Sequence, residues 1–260
     1  MNTVVMNSSN TYPLVTIITI VSNNVNTIRN AVQSVAYQDY ENIEHIVIDN
    51  CSTDGTIEAI NEQIEDLALI ISEPDEGIYY ALNKGIELSK GEIIGFLNSD
   101  DVLKNRKVIT NIVYELTSSE FDAVYGDLQY FSKRLPNKIS RIWKAGIYSK
   151  SKLEYGWMPP HPTFYTYKYL YIKYGFFDVS YQISSDYDMM LKLLYQNNLR
   201  AKYIPKVLVK MQSGGISNSL QNLWLKTKED YLIMKKNEFN LFSLIFKTAR
   251  KLSQFIIWIK

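Results

Sequence analysis

The stretch Gly91–Lys104, GEIIGFLNSDDVLK, runs four apolar side chains, Ile93, Ile94, Phe96 and Leu97, straight into the adjacent carboxylates Asp100 and Asp101. A short apolar run of this kind reads as a buried strand. Side-by-side carboxylates repel each other, and beside an apolar core they also cost desolvation. Keeping them there calls for a positive counterpart, so the end of this strand is where function is to be sought.

The residues before it repeat one pattern. PLVTIITI (Pro13–Ile20) is a β-branched run that predicts a buried strand. Asn26 is a candidate helix cap, and Ile28, Val32, Val35 and Ala36 follow at helical spacing. IEHIVIDN (Ile43–Asn50) is a second strand, STDGT (Ser52–Thr56) a turn into a helix carrying Glu58, Ile60 and Ile64, and LALIIS (Leu67–Ser72) a third strand. IYYALNKGIEL (Ile78–Leu88) puts Ile78, Ala81, Leu82, Gly85 and Ile86 on one helical side, and the opening strand comes next. Strand and helix alternate four times, which predicts an α/β protein with a mostly parallel central sheet flanked by helices. The loops that follow three of these strands carry Asp49, Asp75 and Asp100. Ligands of open α/β sheets bind at the carboxyl ends of the strands, so the acids gather where a ligand belongs.

The second half is less regular. FDAVYGDLQYF (Phe121–Phe131) reads as a strand and a turn, and EYGWMPPHPTFY (Glu154–Tyr165) as a proline-rich loop bearing His161. SSDYDMMLKLLYQN (Ser184–Asn197) starts a helix, with Ser at the cap and Asp186 in the first turn. MQSGGISNS (Met211–Ser219) is a loop: a lid, since two glycines allow large backbone changes, or an ordinary surface loop. From Leu241 the chain reads LFSLIFKTARKLSQFIIWIK, with Lys and Arg, no acid and many large apolar residues. That tail either lies on a membrane surface as a basic amphipathic helix or packs on the domain or on a second copy. The pattern divides the chain into a flexible leader (1–12), a main α/β domain (13–219) and a C-terminal helical region (220–260).

Composition narrows the class. With 260 residues, 46 % hydrophobic and 21 % charged, the chain is an ordinary globular protein of one large domain, with or without a tail. A formal net charge of +1 supplies no field for nucleic acid. The single cysteine, Cys51, excludes an internal disulfide, fits a reducing compartment, and reads as a small buried residue rather than a nucleophile. The leader lacks the pattern of a secretory signal, and no apolar run is long enough to span a bilayer. These features together predict a cytoplasmic protein.

A divalent cation answers the question posed by Asp100. Mg²⁺ and Mn²⁺ take oxygen ligands and bind through one or two carboxylates plus substrate phosphates. A nucleoside diphosphate would complete the shell, with Asp49 and Asp75 accepting hydrogen bonds from its base or ribose. The plain alternative for each Asp is a cap or turn former, which weakens when several acidic loops share one sheet edge. The P-loop, dinucleotide and zinc-protease motifs are absent, and two His with one Cys make a dedicated zinc site improbable.

VTIITIVSNN, IEHIVIDNCSTDGT, SEPDEGIYYALNKGIELSKGEIIGFLNSDD and SSDYDMMLKL, in this order, resemble the family 2 glycosyltransferases of bacteria, over roughly Pro13–Ser219. The similarity is nearest to members that build capsule, colanic-acid or O-antigen polysaccharides. The resemblance implies the GT-A fold and inversion at the anomeric carbon. It implies Asp49 at the nucleotide base, with Asp75 beside it. NSDD stands in place of a D-x-D motif, leaving Asp100 as metal ligand, Asp101 as a lesser one, and Asn98, in a departure from Asp, toward the ribose. It implies Asp186 as general base, with Ser185 where the family often has Glu, and Asp188 as second choice. His161 is either structural or a contact to phosphate or acceptor. The implied partners are a nucleotide-sugar donor, a UDP-sugar by default, and a saccharide or lipid-linked acceptor, with the enzyme peripheral on the inner face of the cytoplasmic membrane. Two other readings stand beside it. One is a sugar nucleotidyltransferase, although TIVSNNVNT lacks the Gly-rich basic signature expected after the first strand. The other is a nucleotide-sugar-binding subunit without catalysis.

Overall fold

A computed structural model of the chain describes residues 12–62, 68–118, 120–132, 139–213, 220–240 and 242–247. Most of the leader, the glycine pair of the loop at 211–219 and the tail beyond Lys247 lie outside the described residues. The first hundred residues alternate as β1 (Val15–Val21), α1 (Val25–Ala36), β2 (Ile43–Asp49), α2 (Thr56–Asn61), β3 (Ala68–Ser72), α3 (Ile78–Leu88) and β4 (Ile93–Phe96). The later elements are β5 (Val102–Leu103), α4 (Val108–Thr117), β6 (Ala123–Phe131), β7 (Ile139–Trp143), α5 (Lys150–Glu154), β8 (Tyr165–Tyr167) and α6 (Lys168–Tyr174). They are followed by α7 (Ser185–Met190), which runs on as a π-type turn through Leu191–Gln196, then β9 (Ala201–Gln212) and α8 (Leu220–Lys236). Residues 242–247 are helical.

One sheet runs in the order β3-β2-β1-β4-β8-β6-β9-β5, with β7 paired to β6. The first four strands are mutually parallel, as the alternation predicts. Beyond β4 the sheet is mixed: β8 runs antiparallel to both β4 and β6, and β5 antiparallel to β9, while β6 and β9 are parallel. The short strands β5, β7 and β8 are the ones that run against the rest. The second half returns to the sheet through loops and short helices, without the helical crossovers that enforce parallel pairing. Gly95 makes the junction: a Cβ there would lie 2.0 Å from the Tyr165 ring of β8.

The strand registers bring Val21 level with Asp49, and Asp49 level with Ser72, so β1, β2 and β3 end in one row. β1 is buried on both faces, and successive residues serve different cores. Ile18 packs with Leu82, Ile86, Phe96, Tyr187 and Met190, on the side of α3 and α7. Ile17 packs with Val35, Ile109, Ile112 and Val124, on the side of α1 and α4. Ile233 and Met234 of α8 belong to the first of these cores, so α8 is part of the same packed body as the strands.

Candidate functional site

The carboxyl ends of β1 to β4 carry loops that are tied to one another. Between the β1 and β2 loops, the Asn23 amide donates to Ser52 Oγ at 2.7 Å, the Asn24 amide to Thr56 Oγ1 at 2.9 Å, and the Thr53 amide to Asn23 Oδ1 at 2.9 Å. Toward the β4 loop, Asn24 Nδ2 donates to Ser99 Oγ at 2.8 Å and Thr27 Oγ1 to the Ser99 carbonyl at 2.9 Å. Asn23 and Cys51 adopt left-handed backbone, with φ of +47° and +48°. Cys51 is exposed, against the expectation that it is buried, because that backbone turns the loop out from the sheet edge.

Asp49 is fully buried. Its Oδ1 accepts from Ser52 Oγ at 2.5 Å, and its Oδ2 from the Ser52 amide at 2.9 Å and Ser72 Oγ at 2.6 Å. It shapes the loop from below. Asp75 is held otherwise. Its amide donates to Asn50 Oδ1 at 2.9 Å, its Oδ1 meets Lys84 Nζ at 2.6 Å, and its buried Oδ2 has no protein partner. Lys84 also reaches Glu73 at 2.7 Å, and Asp75 followed by Glu73 pushes the ammonium above its usual range.

At the end of β4, Asn98 Nδ2 donates to Asp101 Oδ2 at 2.9 Å and the Gln212 amide donates to Asp101 Oδ1 at 3.3 Å. Asp101 is fully buried; burial first, and the Asp100 charge second, push its carboxyl well above the ordinary range. It therefore anchors the turn, and Asn98 spends its amide on that anchor. Asp100 stays half-buried at the edge. Among the described residues no group of three or more His, Cys, Asp or Glu could hold a metal by itself. A hard cation that keeps its waters and takes phosphate oxygens needs only one or two carboxylates, and Asp100 above Asp101 fits that requirement.

Asp186 lies in the first turn of α7, half-buried, with its Oδ1 accepting from the Tyr187 amide at 2.8 Å. Asp188 is 1 % exposed, and its Oδ1 pairs with Lys236 Nζ of α8 at 3.1 Å. His161 stands between the two carboxylate sites. Its ring stacks on Phe96 with centroids 5.2 Å apart, and meets Phe177 edge-on at 5.9 Å. Burial lowers the imidazole pKa more than the nearby Asp186 charge raises it, and Nδ1 is buried without a partner. Tyr79, at the start of α3, stacks on the same Phe177 at 5.7 Å. Aromatic rings thus join the end of β4 to the start of α7.

Two residues of the site carry no motif. Tyr79 Oη donates to the Ile183 carbonyl at 2.7 Å, and Glu229 of α8 accepts from the amides of Gln182, Ile183 and Ser184. A signal for Glu229 exists in the spacing of Lys226, Glu229, Ile233 and Asn237, which places the acid on one helical face with an apolar residue.

The family model described as Glycosyl transferase family 2 matches residues 16–183. An uncharacterized glycosyltransferase of Rickettsia typhi is 31 % identical over 204 residues, spanning 71 % of this chain and 60 % of that protein. The chain thus spans less than two thirds of that relative's length. Among solved structures, S. aureus TarS 1-349 in complex with UDP-GlcNAc superposes with a TM-score of 0.64 at 15 % identity, covering 85 % of this chain and 66 % of that one. Mannosyltransferase PcManGT from Pyrobaculum calidifontis, in complex with GDP-Man and Mn²⁺, gives 0.64 at 18 % identity, covering 92 % and 74 %. Both likenesses concern the fold, which is of the GT-A type.

Proposed function

The chain belongs to glycosyl transferase family 2, and from that premise we propose that it transfers a sugar from a nucleotide-sugar donor to a saccharide or lipid-linked saccharide acceptor, with inversion, in the assembly of a cell-surface polysaccharide. The observation that carries this reading is the buried, unpartnered Oδ2 of Asp75, set among the laced loops on the same sheet edge as Asp100. A buried acceptor without a donor is costly, and a base or ribose N–H or O–H would satisfy it. The likeness to solved complexes holding UDP-GlcNAc, or GDP-Man with Mn²⁺, supports a nucleotide-sugar donor and a divalent ion.

Asp100 would hold Mn²⁺ or Mg²⁺, and the bound ion would neutralise charge growing on the leaving diphosphate. Asp186 takes the proton of the acceptor hydroxyl as its oxygen bonds to the anomeric carbon. The bond from that carbon to the diphosphate oxygen breaks, and the nucleoside diphosphate leaves with the electron pair. A neutral His161 offers a hydrogen bond to phosphate or acceptor without adding charge. No helix among the described residues is long and apolar enough to cross a membrane. We place the enzyme in the cytoplasm, at the inner membrane face, through the apolar residues of its tail.

Purified protein incubated with a panel of nucleotide sugars and a saccharide acceptor decides the matter. Release of nucleoside diphosphate that requires Mn²⁺ or Mg²⁺ is the expected result. Pyrophosphate release would replace this reading with nucleotidyl transfer. Donor binding without any release would make the protein a binding subunit.

A further inference from the structure

We propose that Glu229, on α8, is a positioning residue that fixes the catalytic base Asp186 by clamping the backbone that leads into α7; this rests on Asp186 being the base. The residues before α7 form no regular element, so their amides need partners from elsewhere. Glu229 supplies them. It is 5 % exposed; its Oε1 accepts from the Gln182 amide at 2.8 Å and its Oε2 from the Ile183 and Ser184 amides, each at 2.9 Å. Amide bonds to a carboxylate are about twice as strong as neutral ones. From the other side Tyr79 Oη donates to the Ile183 carbonyl at 2.7 Å. The Ser184 carbonyl then accepts from the Tyr187 amide at 3.0 Å and the Asp188 amide at 3.1 Å, opening the turn that carries Asp186.

A second tie fixes the rotation of α7. Asp188 pairs with Lys236, two turns beyond Glu229 on α8, at 3.1 Å. With α7 held at both points, the Asp186 side chain has one direction to take. The clamp is supplied by α8, outside the residues matched by the family model. Tyr79 connects it to the donor side, because Gly77, which opens α3, follows the Asp75 loop by two residues.

The test uses the full chain as Glu229→Gln, Asp186→Asn and the double variant. Gln keeps the shape but turns an NH₂ toward amides that themselves donate. Turnover of Glu229→Gln is expected to fall about 10–10²-fold, the scale of a misplaced catalytic group, while calorimetric affinity for nucleoside diphosphate with Mn²⁺ stays within about twofold. In the Asp186→Asn background the same change should cost almost nothing, because a residue acting through Asp186 has nothing left to position. An equal cost in both backgrounds would make Glu229 merely structural and overturn the proposal. Hydrogen exchange of the Ile183 and Ser184 amides reads the clamp without turnover: they should exchange faster in Glu229→Gln, and unchanged exchange overturns the clamp. Wild-type turnover in Asp186→Asn would overturn the base assignment, while exchange still decides the clamp. If Glu229→Gln fails to fold, Tyr79→Phe removes the opposite side of the clamp and is read by the same cycle.

Discussion

Asp49 and Asp75 close neighbouring strands, yet they meet a ligand with different resources. Asp49 has three protein donors, so replacing it would loosen the β2 loop before it touched any ligand. Asp75 keeps one buried oxygen without a partner. Asp100 and Asp101 divide by depth, one half-buried at the edge and the other enclosed beneath it. Asp100→Asn should therefore abolish cation-dependent binding of nucleoside diphosphate and move the melting temperature little. Calorimetry showing unchanged affinity and unchanged metal dependence would remove Asp100 from the site. Asp186→Asn should lower turnover about 10²–10⁴-fold, the usual share of a general base, with donor affinity retained. A collapse of donor affinity in that variant would instead make Asp186 a donor contact. The positions of these acids were legible in the sequence because each follows a strand or opens a helix. Which of them are spent was not, since the Ser72 hydroxyl that helps hold Asp49 and the Gln212 amide that helps hold Asp101 come from distant segments.

At the scale of elements, β1 to β4 were legible to within about two residues, because β-branched runs between turn residues leave few other readings. β9 was not. Its twelve residues hold Pro205, which argues against a strand within a sheet. The pairing explains it: Gly126 faces Ile204 and Asp127 faces Val207, so Pro205 and Lys206 bulge out where no amide is needed. β5 and β8, at two and three residues, are too short to show any period. Their place in the sheet depends on partners, and Gly95 is one test of it. Gly95→Ala would drive a methyl group into the Tyr165 ring and should lower stability by about 1–3 kcal/mol; an unchanged denaturation midpoint would mean that β4 and β8 separate easily. His45 tests the β1–β2 pair. Its buried ring bonds Thr19 across the strands at 2.9 Å, and burial lowers its pKa to about 4. The unfolded chain takes up this proton near 6.5, so the contribution is complete above that pH and is lost as pH falls toward 4. The loss is on the order of 3 kcal/mol. Urea titrations across this window should show a shallower fall for His45→Gln than for the wild type, and parallel curves would mean that His45 is solvated.

The whole molecule poses the question of its tail, for which packing on the domain and lying on a membrane were left open by a sequence both basic and apolar. Residues 242–247 separate the two on opposite sides of one helical turn. Ser243 is buried, Leu244 packs against the core that holds Tyr187, and Lys247 Nζ lies 2.9 Å from Asp230 and 3.0 Å from the centroid of the Tyr187 ring. Gly156 makes room for that approach, since a Cβ there would lie 2.5 Å from Lys247 Cβ. Burial pushes the Lys247 ammonium down to about 8. The other side is bare: Phe242, Ile245 and Phe246 are 66 %, 57 % and 47 % exposed, and Tyr155 extends the face by edge contact with Phe246. Docking and membrane contact therefore call on different residues. Lys247→Met leaves Asp230 with Lys226, at 3.7 Å, and the Ser184 hydroxyl, and should cost about 1–3 kcal/mol, below the 3–5 of a pair left wholly unpartnered. In a protein of this size that lowers the melting temperature by about 2–4 °C per kcal/mol. Phe242→Glu with Ile245→Glu should leave melting unchanged and weaken sedimentation with anionic vesicles, because their apolar area and not their packing is what a headgroup boundary takes up. Salt should weaken the binding further through the lysines nearby. If the full chain does not sediment with such vesicles at low salt, the membrane role ends and the exposed face awaits a protein partner. If Lys247→Met melts with the wild type, the docking of the tail contributes nothing to the fold.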